Sequence, residues 1–143
     1  MAIVYLALGS NLGDRFSYLK KAVALLEEGG VQVQRHSSII ETEPVGGPLQ
    51  GKYLNAVVKS QTELSPEDLH QLTQHVECKL GRIKKEHNGP RVIDIDILLY
   101  DDIKLITPKL IIPHARMCER NFVMKPLKEI APNIYQEFID ARG

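Results

Sequence analysis

Two aspartates, Asp94 and Asp96, stand two residues apart in the stretch NGPRVIDIDILLY at residues 88–100. From Val92 onward the rest of this stretch is aliphatic and rich in β-branched residues, which predicts a strand. Side chains alternate faces along a strand, so the two carboxylates share one face with Leu98, and Ile93, Ile95, Ile97 and Leu99 share the other. The aspartate backbones are then about 6.6 Å apart, from a rise of roughly 3.3 Å per residue. Two ionised carboxylates that close repel unless positive charge sits beside them. Arg91 lies three residues before Asp94, and Arg82, Lys84, Lys85 and His87 crowd the segment ahead of it. Paired carboxylates with cations gathered at one end suit a polyphosphate. The aspartates would hold a hard divalent cation through oxygen, and the arginines and lysines would take the outer phosphate oxygens. With no cysteine ligand nearby, Mg²⁺ fits better than Zn²⁺. An isolated D-x-D most often marks a solvated edge strand. The pattern G-P-R-x-x-D-x-D behind a basic segment weighs against that reading.

Residues 46–52, GGPLQGK, fit the spacing of a phosphate-binding P-loop. Such a loop needs Ser or Thr next and a helix to follow; here Tyr53 follows and a strand pattern begins, so the match is rejected. His114, in IIPHARM, could contact phosphate or act as acid or base, although a surface histidine is the commoner outcome. Arg116 and Arg120 are close by in sequence. Asn55 sits inside a strand pattern, between Leu54 and Ala56. A buried Asn must satisfy its amide, and the donor–acceptor edge of a flat heterocycle would do so; a bond to its own backbone at a bulge is the alternative. Tyr53 and Phe122 read equally well as core aromatics or stacking surfaces.

The elements that must position these groups follow from periodicity. Residues 3–8 predict a strand ended by Gly9-Ser10-Asn11. Asp14 is a candidate N-cap for a helix to about Glu28, with Phe16, Leu19, Val23 and Leu26 on its apolar face and Gly29-Gly30 at its end. Residues 31–42 are β-like, 43–51 form a loop dense in Gly and Pro, and 53–62 predict another strand. Ser65-Pro66-Glu67-Asp68 is a helix start, with Ser at the N-cap, Pro at the first position and an acid at the third. Leu69, Leu72, Val76 and Leu80 line that helix and Gly81 closes it. After the Asp-bearing strand comes a short one at 103–106, and then a partly helical tail interrupted by Pro113, Pro126 and Pro132. The order β-α-β-β-α-β predicts an α+β, ferredoxin-like fold: an antiparallel sheet with both helices on one face and C-terminal additions.

The 143 residues suggest one domain, 1–143, with enough chain for a real core. Eighteen basic and eighteen acidic residues cancel, which argues against a general nucleic-acid binder. Cys78 and Cys118, without CxxC spacing, read as reduced thiols. No stretch reaches the roughly 18 apolar residues of a membrane span, and no basic region precedes the first apolar run. A cytoplasmic protein is expected.

Taken together, LALGSNLGDR, ETEPVG, KYLNAVV, VECKLGR, HNGPRVIDIDILLY and IPHARMCERNFV, in that order, resemble the 6-hydroxymethyl-7,8-dihydropterin pyrophosphokinase family of folate biosynthesis over essentially the whole chain. The resemblance implies a ferredoxin-like fold and transfer of the terminal diphosphate of ATP to the hydroxymethyl group of the pterin, releasing AMP. It implies two Mg²⁺ ions bridged by Asp94 and Asp96, and phosphate-contacting arginines at Arg82 and Arg91. Gln74, Glu77, Lys84, Ile97, His114 and Arg120 correspond to further ATP-side positions. Thr42, Pro44, Val45, Tyr53, Asn55, Asp94 and Phe122 correspond to pterin-side positions, with Phe122 stacking on the ring. The implied partners are these two small molecules, with neither nucleic acid nor membrane, and the implied form is a monomer. The chain departs from the family pattern at Lys84, which keeps an arginine's charge without its bidentate fork, and at Glu43, Asn88 and Ala115.

Overall fold

The segment AIVYLALGS alternates side chains that are apolar on both faces, as a central strand requires. It forms β1 (Ala2–Ser10). The structure, a computed structural model, describes residues 1–43, 51–81 and 92–142. Asp14 caps α1 (Arg15–Glu28) by accepting a hydrogen bond from the Ser17 amide at 3.2 Å. The helix ends at Gly29, and Gly30 takes the left-handed conformation, φ +106°, that favours glycine. Leu19, Ala22 and Leu26 are its buried residues. Phe16, expected on that face, is 52% exposed, and the Lys20 ammonium lies 5.5 Å from its ring centre.

Residues 31–42 make two strands instead of one: β2 (Val31–His36) and β3 (Ile40–Thr42). The break is at Ser37, whose amide donates to the Val57 carbonyl and whose Oγ accepts from the Val57 amide, both at 2.9 Å. A side chain thus takes the place of a ladder partner. β4 (Tyr53–Thr62) leads to α2 (Pro66–Lys79), where the Ser65 Oγ accepts from the Asp68 amide at 3.1 Å. β5 (Asp94–Tyr100) is the aspartate strand. The short strand expected at 103–106 is β6 (Leu105–Ile106), paired with a further strand, β7 (Ile111–Ile112). α3 (Asn121–Ile130) and α4 (Pro132–Arg142) complete the order. Pro126 lies within α3 and does not break it. The bond it forfeits is offset by the burial of Val123, Met124, Leu127 and Ile130 along the same helix. Pro132 sits at the first position of α4, where its missing N–H is harmless.

The main sheet runs β2-β4-β1-β5 with every pair antiparallel, and β3 adds to β4. On one face, α1 and α2 press Leu19, Leu26, Leu69 and Val76 against Val4, Leu6, Val58 and Ile95. This is the ferredoxin-like arrangement. On the other face, α3 covers Tyr5, Val57, Leu98 and Leu99. Leu99 was expected with the isoleucines on the first face. The β1–β5 register steps from Tyr5↔Leu99 to Leu6↔Ile97, so Leu98 is an extra residue, and this bulge turns Leu99 to the second face. Among the described residues, no helix is long and apolar enough to cross a membrane.

Candidate active site

α3 shields only part of the second sheet face; the rest is an open cleft of about 330 Å³. Strand register decides what lines it. Gly9 of β1 lies opposite Asn55 on β4 and opposite Asp94 on β5. One pair further along, Ala7 lies opposite Val57 and Asp96. Directly opposed residues of an antiparallel sheet point to the same face, so each row carries three neighbours on the cleft side. Two strand spacings separate Asn55 from Asp94, roughly 9.5 Å. Between them the floor is glycine, then alanine, so a flat molecule can approach the sheet backbone. A Cβ on Gly9 would come 2.9 Å from Asn55 Oδ1 and 3.4 Å from Tyr53 Cδ1.

The β3–β4 pair builds one wall. Thr42 is paired directly with Tyr53, and Asn55 Nδ2 donates to Thr42 Oγ1 at 2.5 Å. Asn55 is buried, 6% exposed, and its Oδ1 lies over the place a Cβ on Gly9 would occupy. The segment leading into α3 builds the opposite wall with Arg116, Glu119, Arg120, Asn121 and Phe122. The Arg120 guanidinium stands 5.5 Å from the Phe122 ring centre. The N-cap residue of α3, Arg120, makes no side-chain cap hydrogen bond, and Arg116, Arg120 and the first residues of that helix line the cleft together.

Among the described residues β5 is the last strand of the sheet, and polar groups clip its outer side. Glu77 Oε2, on α2, accepts from the Ile95 amide at 2.8 Å, and the His114 amide donates to the Leu98 carbonyl at 3.0 Å. The second clip brings His114 Nε2 to 3.8 Å from Asp96 Oδ1. His114 Nδ1 accepts from the Arg116 amide at 3.2 Å, so the neutral ring carries its proton on Nε2, toward Asp96. Burial holds the imidazole pKa below its ordinary value; Arg120 pushes the same way, Asp94 opposes it, and Arg116 adds a further push down.

Of the residues singled out in the sequence, Thr42, Tyr53, Asn55, Asp94, Asp96, Arg120 and Phe122 come together in the cleft lining, with His114 beside Asp96. Gln74 is exposed on α2, Glu77 is buried behind β5, and Ile97 points into the core between sheet and helices. Pro44, Val45, Arg82, Lys84 and Arg91 lie outside the described residues. Gly9, Ala7, Glu119 and Asn121 line the cleft without having been singled out. Gly9 was expected to end the first strand, but β1 continues through Ser10. A glycine within a strand signals close approach of a ligand or another backbone, and that was the available clue.

The sheet and the cleft define the class: a ferredoxin-like α+β enzyme with a carboxylate pair, cationic side chains and a bare sheet floor on one open face. The model of the 7,8-dihydro-6-hydroxymethylpterin-pyrophosphokinase family matches residues 5–132. The 2-amino-4-hydroxy-6-hydroxymethyldihydropteridine pyrophosphokinase of Bacillus subtilis is 48% identical over 140 residues, covering 97% of this chain and 84% of that protein. The protein of the same name from Aquifex aeolicus is 45% identical over 134 residues, covering 94% and 83%. Among solved structures, Plasmodium falciparum HPPK-DHPS superposes with a TM-score of 0.68 at 16% identity, a likeness of fold. It covers 92% of this chain, which spans 40% of that one. This chain belongs to the 7,8-dihydro-6-hydroxymethylpterin-pyrophosphokinase family.

Proposed function

We propose that this protein transfers the terminal diphosphate of ATP to the hydroxymethyl group of 6-hydroxymethyl-7,8-dihydropterin, giving AMP and the pterin diphosphate. The observation that carries this reading, beside family membership, is the row Asn55–Gly9–Asp94. A hydrogen-bonding amide and a carboxylate stand at opposite ends of a floor without side chains. A bicyclic ring lying on Gly9, with its polar edge at Asn55 and Thr42 and its face against Phe122, would direct its hydroxymethyl group toward Asp94 and Asp96. Because Asn55 Nδ2 is engaged by Thr42, its Oδ1 is held ready for a ring N–H.

The hydroxyl oxygen forms a bond to the β-phosphorus as the bond from that phosphorus to the α,β-bridging oxygen breaks, and the hydroxyl proton is released. The chain's contribution is placement and charge. Arg116, Arg120 and the open end of α3 offer positive charge to the phosphates, and Arg82, Lys84 and Arg91 join them by resemblance. His114 offers its Nε2 proton next to Asp96. Gln74, Glu77 and the backbone at Ile97 are assigned to the nucleotide side, and Pro44, Val45 and Tyr53 to the pterin side.

Asp94 and Asp96 are hard oxygen donors on one face. Among the described residues, no group of three or more His, Cys, Asp or Glu side chains could hold a metal ion. Asp94 and Asp96 would hold a hard cation such as Mg²⁺ through their carboxylate oxygens. When bound, two Mg²⁺ ions supply charge neutralisation along the triphosphate. We read residues 1–143 as one catalytic domain acting as a cytoplasmic monomer on two small molecules.

The test is incubation with ATP, Mg²⁺ and the pterin, with nucleotides separated by chromatography. AMP formed only when both pterin and Mg²⁺ are present is the expected result. ADP would mark an ordinary kinase instead, and no turnover by folded protein would overturn the reading.

A further inference from the structure

Arg15 is the first residue of α1, so its charge stands at the positive end of its own helix, with no acidic residue in that first turn. A cation there is disfavoured. The guanidinium is engaged elsewhere. Arg15 Nη1 donates to Glu41 Oε2 at 2.9 Å and to the Lys52 carbonyl at 2.9 Å. Glu41 belongs to β3, and Lys52 immediately precedes β4. Their neighbours, Thr42 and Tyr53, are paired directly and line the cleft. Glu41 pairs with Leu54, which packs on the α1 side of the sheet. Arg15 therefore grips the β3–β4 pair from behind and, among the described residues, is not part of the cleft lining.

β3 has three residues, the short end of the usual strand range, so its ladder offers few bonds to fix its register. Nearby contacts strengthen the same joint: Asn11 Nδ2 donates to the Gly51 carbonyl at 3.1 Å, and Lys52 Nζ lies 3.4 Å from Glu43 Oε1. We propose that Arg15 is a positioning residue for the heterocycle end of the cleft, locking Thr42, Tyr53 and Asn55 in register by bridging β3 and β4. This rests on the pterin reading given above. The Arg15 and Glu41 side chains are 31% and 48% exposed, and an ion pair so open contributes little to global stability. Its loss should then act on binding more than on folding.

The experiment compares the full chain with Arg15→Ala, Arg15→Lys and Glu41→Gln. Expected for Arg15→Ala is a rise of about tenfold in KM for the pterin, with KM for ATP and Tm unchanged and partial recovery in Arg15→Lys. In ligand-free protein, hydrogen exchange should quicken at residues 40–42 and 53–55 and nowhere in β1 or β5. An unchanged pterin KM overturns the proposal. So does a joint loss of kcat and both KM values with a lowered Tm, which a merely structural arginine would produce. If the wild type forms no AMP, the pterin reading fails by itself. The exchange result then decides the clamp: faster exchange sustains the positioning role, and unaltered exchange overturns it.

Discussion

Replacing Gly9 by alanine tests the floor of the cleft directly. Gly9 lies in β1 without a left-handed φ, so the backbone accepts alanine, and removing a strand glycine contributes roughly 0.5–1 kcal/mol of stability. Against this, the new Cβ would stand 2.9 Å from Asn55 Oδ1, closer than such contacts occur. Asn55 is a short, buried side chain held by Thr42, so it yields only by weakening that hydrogen bond. Losing such a bond costs about 1 kcal/mol. The two effects nearly cancel, and Tm should stay within about 5 °C of wild type. Binding has no such offset. The methyl group raises the floor, and a displaced Asn55 leaves the polar edge of the ring unpaired, at about 1–3 kcal/mol. KM for the pterin should therefore rise about 10- to 100-fold, with KM for ATP unchanged. Thermal unfolding and steady-state kinetics at saturating ATP and Mg²⁺ measure both quantities. A pterin KM within twofold of wild type would refute the claim that the ring rests on Gly9.

Three further outcomes follow from the same geometry. Asp94→Ala or Asp96→Ala should lower AMP formation by about a thousandfold or more while leaving the circular dichroism spectrum intact; an active Asp96→Ala protein would remove the carboxylate pair from the mechanism. Ser60 is fully buried and its Oγ has no hydrogen-bond partner among the described residues, so Ser60→Ala should raise the free energy of urea unfolding by about 0.5–1 kcal/mol, and a fall of that size would count against it. Tyr5 is held above its ordinary pKa by burial, opposed by Arg35, and Tyr100 by burial reinforced by Asp101, Glu67 and Glu63. Tyr5 and Tyr100 should thus ionise late in an ultraviolet titration. The unfolded chain loses these protons first, so their contribution, intact below pH 10, is lost as pH rises from there through the folded values; five coincident ionisations would disprove it.

Local signals in the chain determined much of this molecule. Asp14 and the run Ser65-Pro66-Glu67-Asp68 place the starts of α1 and α2, because a cap acts over three or four residues. The period-two pattern of β5 puts Asp94 and Asp96 on one face, because alternation belongs to the strand itself. Asn55 and the carboxylate pair were marked out by chemistry alone, as polar groups in apolar strands. What local pattern does not carry is register between strands distant in sequence. Ser37 divides residues 31–42 only because Val57 lies beside it. Leu99 changes faces only because Leu98 bulges against β1. Glu77 is buried behind Ile95 because α2 packs under the edge of β5. Above all, Gly9 becomes the floor of a binding cleft only once β4 and β5 flank it and bring Asn55 and Asp94, 39 positions apart in the chain, into one row. Tertiary packing sets that row, since a strand's own sequence fixes which way its side chains point but not which residues of its neighbours they meet.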